Sequence, residues 1–265
     1  MPHFNLHMIF TLFCAALVGS VINMVTYRLP IMLGFKSNGH THFKIFNLFI
    51  PRSHCPHCAH IITWYYNIPI LGYVILKGYC LNCKTKIPVR YLLTEIGYIS
   101  LIAGIFFIYP SPQYLLPAAW FTALLMIQAL IDLEFFFLPD IINYILLWSG
   151  LFINSFGVFC NLHDAVYGAL FSYIGLWGFY HLFALFTGKQ GFGYGDFKLY
   201  AAISAWIGIH HIFSCIMLSC VFGIVMSLIL LKSHPKNQQP TLIPFGPALA
   251  MSGYLLLLGP KILPF

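Results

Sequence analysis

The sequence predicts an all-α polytopic membrane protein, with about eight transmembrane helices and one small extramembrane domain between the first and the second. Three observations predict it. Of 265 residues, 60% are apolar and only 7% charged, against about 25% charged in an ordinary soluble domain. The apolar residues gather in blocks long enough to cross a hydrocarbon core about 30 Å thick. One long interval, residues 28–90, lacks such a block and holds four of the eight cysteines and eight of the thirteen Lys and Arg. A mean hydropathy of +0.85 would leave large apolar patches on any water-facing surface, so lipid is the natural solvent for most of the chain.

Residues 1–27 carry the first span, its apolar core running from Met8 to Tyr27. A cleaved secretory leader would open on a basic segment and have a shorter apolar run, and Arg28 with the following cations would stop transfer, so the span is expected to be retained. Residues 28–90 form a domain of about 60 residues, too small to be comfortably stable on apolar burial alone and therefore in need of a staple such as a metal or disulfide. Residues 91–265 hold the remaining seven blocks: 91–109, 114–131, 141–159, 165–186, 197–209, 212–231 and 242–258. The block after Asp196 is the shortest. No internal repeat is evident.

The formal charge of +7 does not indicate nucleic acid, because the cations cluster beside spans, where retention of positive charge on the cytoplasmic side explains them. With the N-terminus outside and residues 28–90 inside, twelve of the thirteen cations fall in cytoplasmic loops and only Lys261 lies outside.

Only six carboxylates are present: Glu95, Asp132, Glu134, Asp140, Asp164 and Asp196. An acid near a span costs about 2.5–3.5 kcal/mol at the helix centre on insertion scales, and so tends to face a protein interior with a functional role. Asp132 ends the third span in Ala129-Leu130-Ile131-Asp132, ahead of Leu138-Pro139-Asp140. Asp196 follows the glycine-rich run Gly191-Phe192-Gly193-Tyr194-Gly195. In the topology above both lie at the cytoplasmic boundary, where they can converge. Two adjacent carboxyls cannot both ionise cheaply; one would deprotonate a water while the other, protonated, polarises a carbonyl. Taken singly, Asp196 could instead cap a helix and Asp132 anchor a span end. Glu134 reads as a solvated loop acid, Asp140 as a helix N-cap and Glu95 as a structural or supporting acid.

Cys55-Pro56-His57-Cys58 and Cys80-Leu81-Asn82-Cys83 are two Cys-x-x-Cys knuckles separated by 21 residues, slightly longer than usual zinc-ribbon spacing. Four thiolates close a tetrahedral zinc site with no open position, which makes it structural. A redox pair is the competing reading, disfavoured by cytoplasmic placement and by the absence of a thioredoxin-like pattern. His54, His57 and His60 are alternative ligands but read as loop histidines. Cys14, Cys160, Cys215 and Cys220 lie in or beside apolar blocks as packing residues.

With these residues in place, the chain resembles the type IV prepilin leader peptidases, the Gly-x-Gly-Asp intramembrane aspartyl proteases, over nearly its whole length. The matching stretches are Gly19-Ser20-Val21-Ile22-Asn23, Tyr27-Arg28-Leu29-Pro30, both knuckles, Asn67-Ile68-Pro69, and Arg90-Tyr91 with Glu95. Ile131-Asp132, Leu138-Pro139-Asp140, Gly193 to Leu199 and Ile243-Pro244-Phe245-Gly246-Pro247 complete the set.

The resemblance implies a multi-pass protein of the bacterial inner membrane that cuts leaders from type IV prepilins and type II secretion pseudopilins after a glycine. It further implies methylation of the new N-terminus from S-adenosylmethionine. Asp132 and Asp196 match the family's catalytic positions, and Cys55, Cys58, Cys80 and Cys83 its zinc ligands. Where the family commonly has Trp-Glu before Asn-Ile-Pro, this chain has Tyr65-Tyr66, so the methyl transfer rests on the resemblance alone. Gly78 is a further candidate for that activity. The alternative reading is an ion- or proton-coupled transporter using Asp132 and Asp196 under a zinc-stabilised cap, a class often marked by broken helices or inverted repeats that this sequence does not display.

Overall fold

The computed structural model describes residues 2–35, 46–188, 193–233 and 243–262. Its helices are α1 (Pro2–Met32), α2 (Leu71–Ile75), α3 (Arg90–Ile108), α4 (Pro112–Phe135), α5 (Asp140–Asn154), α6 (Leu162–Thr187), α7 (Tyr194–Ile207), α8 (Ile212–Ser233) and α9 (Gly246–Ile262). The described residues contain no β-strand, only the isolated bridges His54–Ile61 and Tyr79–Lys86. Gly191 and Phe192, residue 242 and the tail beyond Ile262 lie outside the described residues.

Each of the eight apolar blocks corresponds to one helix, and the chain is a multi-pass membrane protein. Five helical segments are long and apolar enough to cross a bilayer: Leu6–Met32, Arg90–Ile108, Pro112–Phe135, Leu162–Thr187 and Ile209–Ile229. The other three, α5, α7 and α9, have 15, 14 and 17 residues, or roughly 21–26 Å of rise at 1.5 Å per residue. Length therefore supports five spans, not the expected eight.

The chain divides into two compact units, Met1–Phe107 and Ile108–Phe265. In the first, α1 presents an outward stripe of Phe10, Phe13, Leu17 and Val21 and buries Ala15, Gly19, Ile22, Asn23, Thr26 and Leu29 on the opposite face. The two faces follow the 3.6-residue period, which turns one stripe to the protein and leaves the other for lipid. Gly19 permits close approach of α3, since a Cβ there would stand 3.1 Å from Glu95 Cα.

In the second unit α7 is the central helix, packed against α5, α6 and α9. Every residue from Leu199 to Ile207 is buried. A helix wrapped by its neighbours need not match the bilayer thickness, which accounts for its short apolar block. Gly150 on α5 makes room for Trp206, where a Cβ would fall 2.5 Å from the indole. The indole Nε1–H donates to Leu146 O at 2.8 Å, and Asn154 Nδ2 donates to Ala205 O and Trp206 O at the same end of α7.

Candidate active site and metal centre

Asp132 lies three residues before the end of α4 and is 5% exposed; Asp196 sits in the first turn of α7 and is 8% exposed. The fold brings the segments that carry them together through Leu138, which stands beside both Gly195 and Gly246. Each is held by a glycine N–H. Gly246, the first residue of α9, donates to Asp132 Oδ2 at 2.8 Å, and Gly193, the N-cap of α7, donates to Asp196 Oδ2 at 3.2 Å. The N-terminal ends of α7 and α9 thus both point free N–H groups at an acid, an arrangement the helix dipole favours.

Asp196 does cap its helix, since it occupies the third helical position and bonds back to Gly193. The capping bond occupies one oxygen of the Asp196 carboxyl, Oδ2. Leu138, buried between the glycines, keeps the three segments in register: a Cβ on Gly195 would stand 3.0 Å from Leu138 Cβ, and one on Gly246 would stand 2.9 Å from Leu138 Cδ2 and 2.8 Å from Asp132 Oδ2. Gly246 and Leu138 belong to stretches legible in the sequence, but the bond of Gly246 to Asp132 and the packing of Leu138 against Gly195 and Gly246 are not.

The remaining acids stand apart in role. Asp140 is not the N-cap of α5, which is Pro139; it is the first helical residue, and its carboxylate accepts from Lys198 Nζ at 2.7 Å. Glu134 is an exposed residue of the last turn of α4 rather than a loop acid. Asp164 lies in the first turn of α6 near His163, 3.8 Å away. Glu95 is buried in α3 and accepts the N–H of Ile70 at 2.7 Å.

The ligand atoms of Cys55, Cys58, Cys80 and Cys83 lie within 4.8 Å of one another. Cys55 Sγ is 3.7 Å from Cys83 Sγ, and Cys58 Sγ is 3.9 Å from Cys80 Sγ. A regular tetrahedron with metal–sulfur arms of about 2.3 Å has edges of about 3.8 Å, whereas a disulfide needs about 2.05 Å. The donor set fits a four-thiolate metal ion. Hydrogen bonds from the Thr85 hydroxyl and backbone pull the Cys83 thiol down to about 6, into the thiolate form a metal requires, whereas burial pushes Cys55 up to about 12.

Both knuckles have one backbone design. Cys55 N–H bonds to His60 O and Ala59 N–H to Cys55 O; 25 residues later Cys80 N–H bonds to Thr85 O and Lys84 N–H to Cys80 O. Ala59 and Lys84 both take positive φ, 54° and 58°. This short structural repeat has only the two Cys pairs as its sequence trace. His54, His57 and His60 are not in the cluster. Gly78 has a turn role: its φ is +75° and its N–H bonds to Tyr73 O.

Comparison with known proteins agrees with this architecture. Residues 13–109 match the bacterial Peptidase A24 N-terminal domain, and residues 118–228 match the type IV leader peptidase family. A prepilin leader peptidase/N-methyltransferase of Stutzerimonas stutzeri is 42% identical, covering 91% of this chain and 87% of the relative. The chain belongs to the type IV leader peptidase family. Proteins with that same printed name from Aeromonas hydrophila and Burkholderia pseudomallei (strain 1026b) are 39% and 35% identical, covering 97% and 94% of this chain and 90% and 84% of theirs. No solved structure matches. The peptidase core match encloses Asp132 and Asp196, and the N-terminal match encloses all four knuckle cysteines.

Proposed function

We propose that this peptidase cleaves the leaders of type IV prepilins and related pseudopilins with Asp132 and Asp196 as its aspartyl dyad. The burial of both acids, on segments that pack through Leu138 against Gly195 and Gly246, supports the reading, because two carboxyls brought together in a dry site share one proton. The ionised member removes a proton from water, whose oxygen attacks the scissile carbonyl as the protonated member donates to the carbonyl oxygen. Collapse of the resulting diol breaks the C–N bond, with the proton delivered to the leaving amine. Gly193 and Gly246 hold one oxygen of each acid, so the carboxyls are aimed before substrate arrives. The test is cleavage of a synthetic prepilin by purified wild type, Asp132→Asn and Asp196→Asn; processing that persists in both variants rejects the dyad.

Residues 28–90 are the cytoplasmic zinc-binding domain in this reading, between the first span, 1–27, and the protease core, 91–265. Zinc held by Cys55, Cys58, Cys80 and Cys83 would supply folding energy rather than reactivity. The charge distribution supports a bacterial inner-membrane placement with the N-terminus outside and the zinc domain cytoplasmic. The relatives' printed names support N-methylation of the new terminus from S-adenosylmethionine. Where the resemblance expects an acid, this chain has Tyr66, its backbone carbonyl seated against Gly72. Mass measurement of the processed N-terminus reads cleavage position and methylation together.

A further inference from the structure

The first unit contains a short helix that neither the cysteine cluster nor the acid pair uses. α2 has five residues, and Leu71, Val74 and Ile75, spaced i, i+3, i+4, form one outward apolar stripe, 55%, 59% and 59% exposed. Trp64 and Tyr65, in the turn just before it, are also exposed, as are Phe49 and Ile50 at the tip of a separate loop. A soluble subdomain would not be expected to display so many large apolar side chains together.

The depth of these groups follows from α1 and α3, which run antiparallel with Asn23 Nδ2 bonded to Tyr91 O at 2.9 Å and Gly19 against Glu95. α3 has 19 residues, roughly 28 Å at 1.5 Å per residue, so it spans the hydrocarbon only if its first turn lies at the boundary. Glu95 is five residues further in, about 7 Å below that boundary. Its carboxylate accepts the N–H of Ile70, the residue that caps α2, and so ties the start of α2 to a level inside the leaflet. Ile70 takes φ 60°, ψ −53°, a conformation costly for a β-branched residue and maintained only where the surroundings enforce it.

Arg28 lies five residues beyond Asn23 on α1, about 7 Å to the headgroup side. Its guanidinium donates to Asn47 O, Leu48 O and Pro51 O and so fixes the loop bearing Phe49 and Ile50 at that level. The backbone of residues 70–78 is suited to a dry setting. Ile70 N–H goes to Glu95, Gly72 N–H to Ile68 O, Val74 N–H to Ile70 O, Leu76 N–H to Gly72 O and Gly78 N–H to Tyr73 O. An exposed cation follows each apolar tip, Arg52 after Phe49–Ile50 and Lys77 after the α2 stripe, where a long cationic side chain can reach anionic headgroups.

We propose that α2, with Trp64–Tyr65 and the Phe49–Ile50 tip, is embedded in the acyl–headgroup boundary of the leaflet, so that the cysteine domain is a membrane-seated element rather than a free cytoplasmic cap. Lipid is the occupant because α1 and α3 are themselves membrane spans and hold these groups at leaflet depth.

The test uses the full chain in vesicles of phosphatidylethanolamine and phosphatidylglycerol, without substrate. Trp64 emission is isolated as the difference between wild type and Trp64→Phe. The expected result is strong quenching of that component by lipids brominated near the headgroup end of the chain, with protection from aqueous iodide. An Ile75→Trp substitution in the Trp64→Phe background should report the same behaviour, and retained zinc in both variants excludes unfolding. Free access of iodide with no bromolipid quenching overturns the proposal. Protection without bromolipid quenching, fading as the protein is diluted in lipid, assigns the surface to a second copy and also overturns it.

Discussion

The cysteine domain and the α4–α9 bundle reach order by opposite routes. In the knuckles the bonds that shape the site are short-range, from Cys55 to His60 and Cys80 to Thr85 out to Ser53 with Ile62 and Gly78 with Ile87, and the remainder is left to four convergent sulfurs. In the bundle, the bond that orients Asp132 comes from a residue 114 positions away, and the bond that seats α7 on α5 joins residues 60 apart. A site made of local turns announces itself in sequence spacing. A site made of distant helix ends is assembled only by packing, so its geometry depends on every glycine that lets two helices approach.

This contrast can be broken most sharply at the acids. Asp132→Asn or Asp196→Asn should lower prepilin cleavage by about 10²–10⁴-fold while the thermal unfolding of the protein stays near that of wild type, read by mass spectrometry and calorimetry. A variant that cleaves normally would remove the bundle's claim to the chemistry. Next in size, Cys80→Ser or exhaustive chelation should take the chain from equimolar zinc to none and open residues 46–89 to limited proteolysis, because metal binding is folding energy for so small a unit. Should the domain stay resistant after metal loss, local turns alone would suffice and the contrast would fail.

Smaller effects sharpen it further. Gly246→Ala and Gly150→Ala each force a methyl into a filled space, against Asp132 and Leu138 in one case and Trp206 in the other. Each should destabilise by about 1–3 kcal/mol. Only Gly246→Ala should also depress cleavage at saturating substrate, since only it displaces an acid; equal activity in the two variants would contradict the role given to the α9 N-terminus. Smallest of all, Lys198→Ala removes a surface ion pair with Asp140, half exposed, and should shift stability by no more than about 1 kcal/mol, measured by denaturant titration.

How much was legible beforehand depended on range. The eight apolar blocks and the two knuckles pointed to the helices and the sulfur cluster, whereas Asp132 and Asp196 were singled out among six acids largely by the family resemblance. Hydropathy could not tell a lipid-facing block from a protein-wrapped one, so the burial of α7 at the centre of its unit was not visible in its short apolar block. Asp140 looked like a cap because Pro139 preceded it, yet its carboxylate turned to Lys198, 58 residues on. Neither α2 nor the strained backbone at Ile70 left a pattern in the composition, since five residues are too few for a period to emerge.

The order of residues by itself determined that this chain lives in lipid, that four cysteines in two knuckles lie between α1 and α3, and that carboxylates are scarce. Those conclusions follow from transfer free energies and ligand spacing, which act along the chain. Only the tertiary structure decided that the N–H groups of Gly193 and Gly246 face the two acids, that Leu138 packs against Gly195 and Gly246, and that Glu95 fastens α2 to a neighbouring span. Such bonds join groups far apart in sequence, and their directions exist only once the helices have packed.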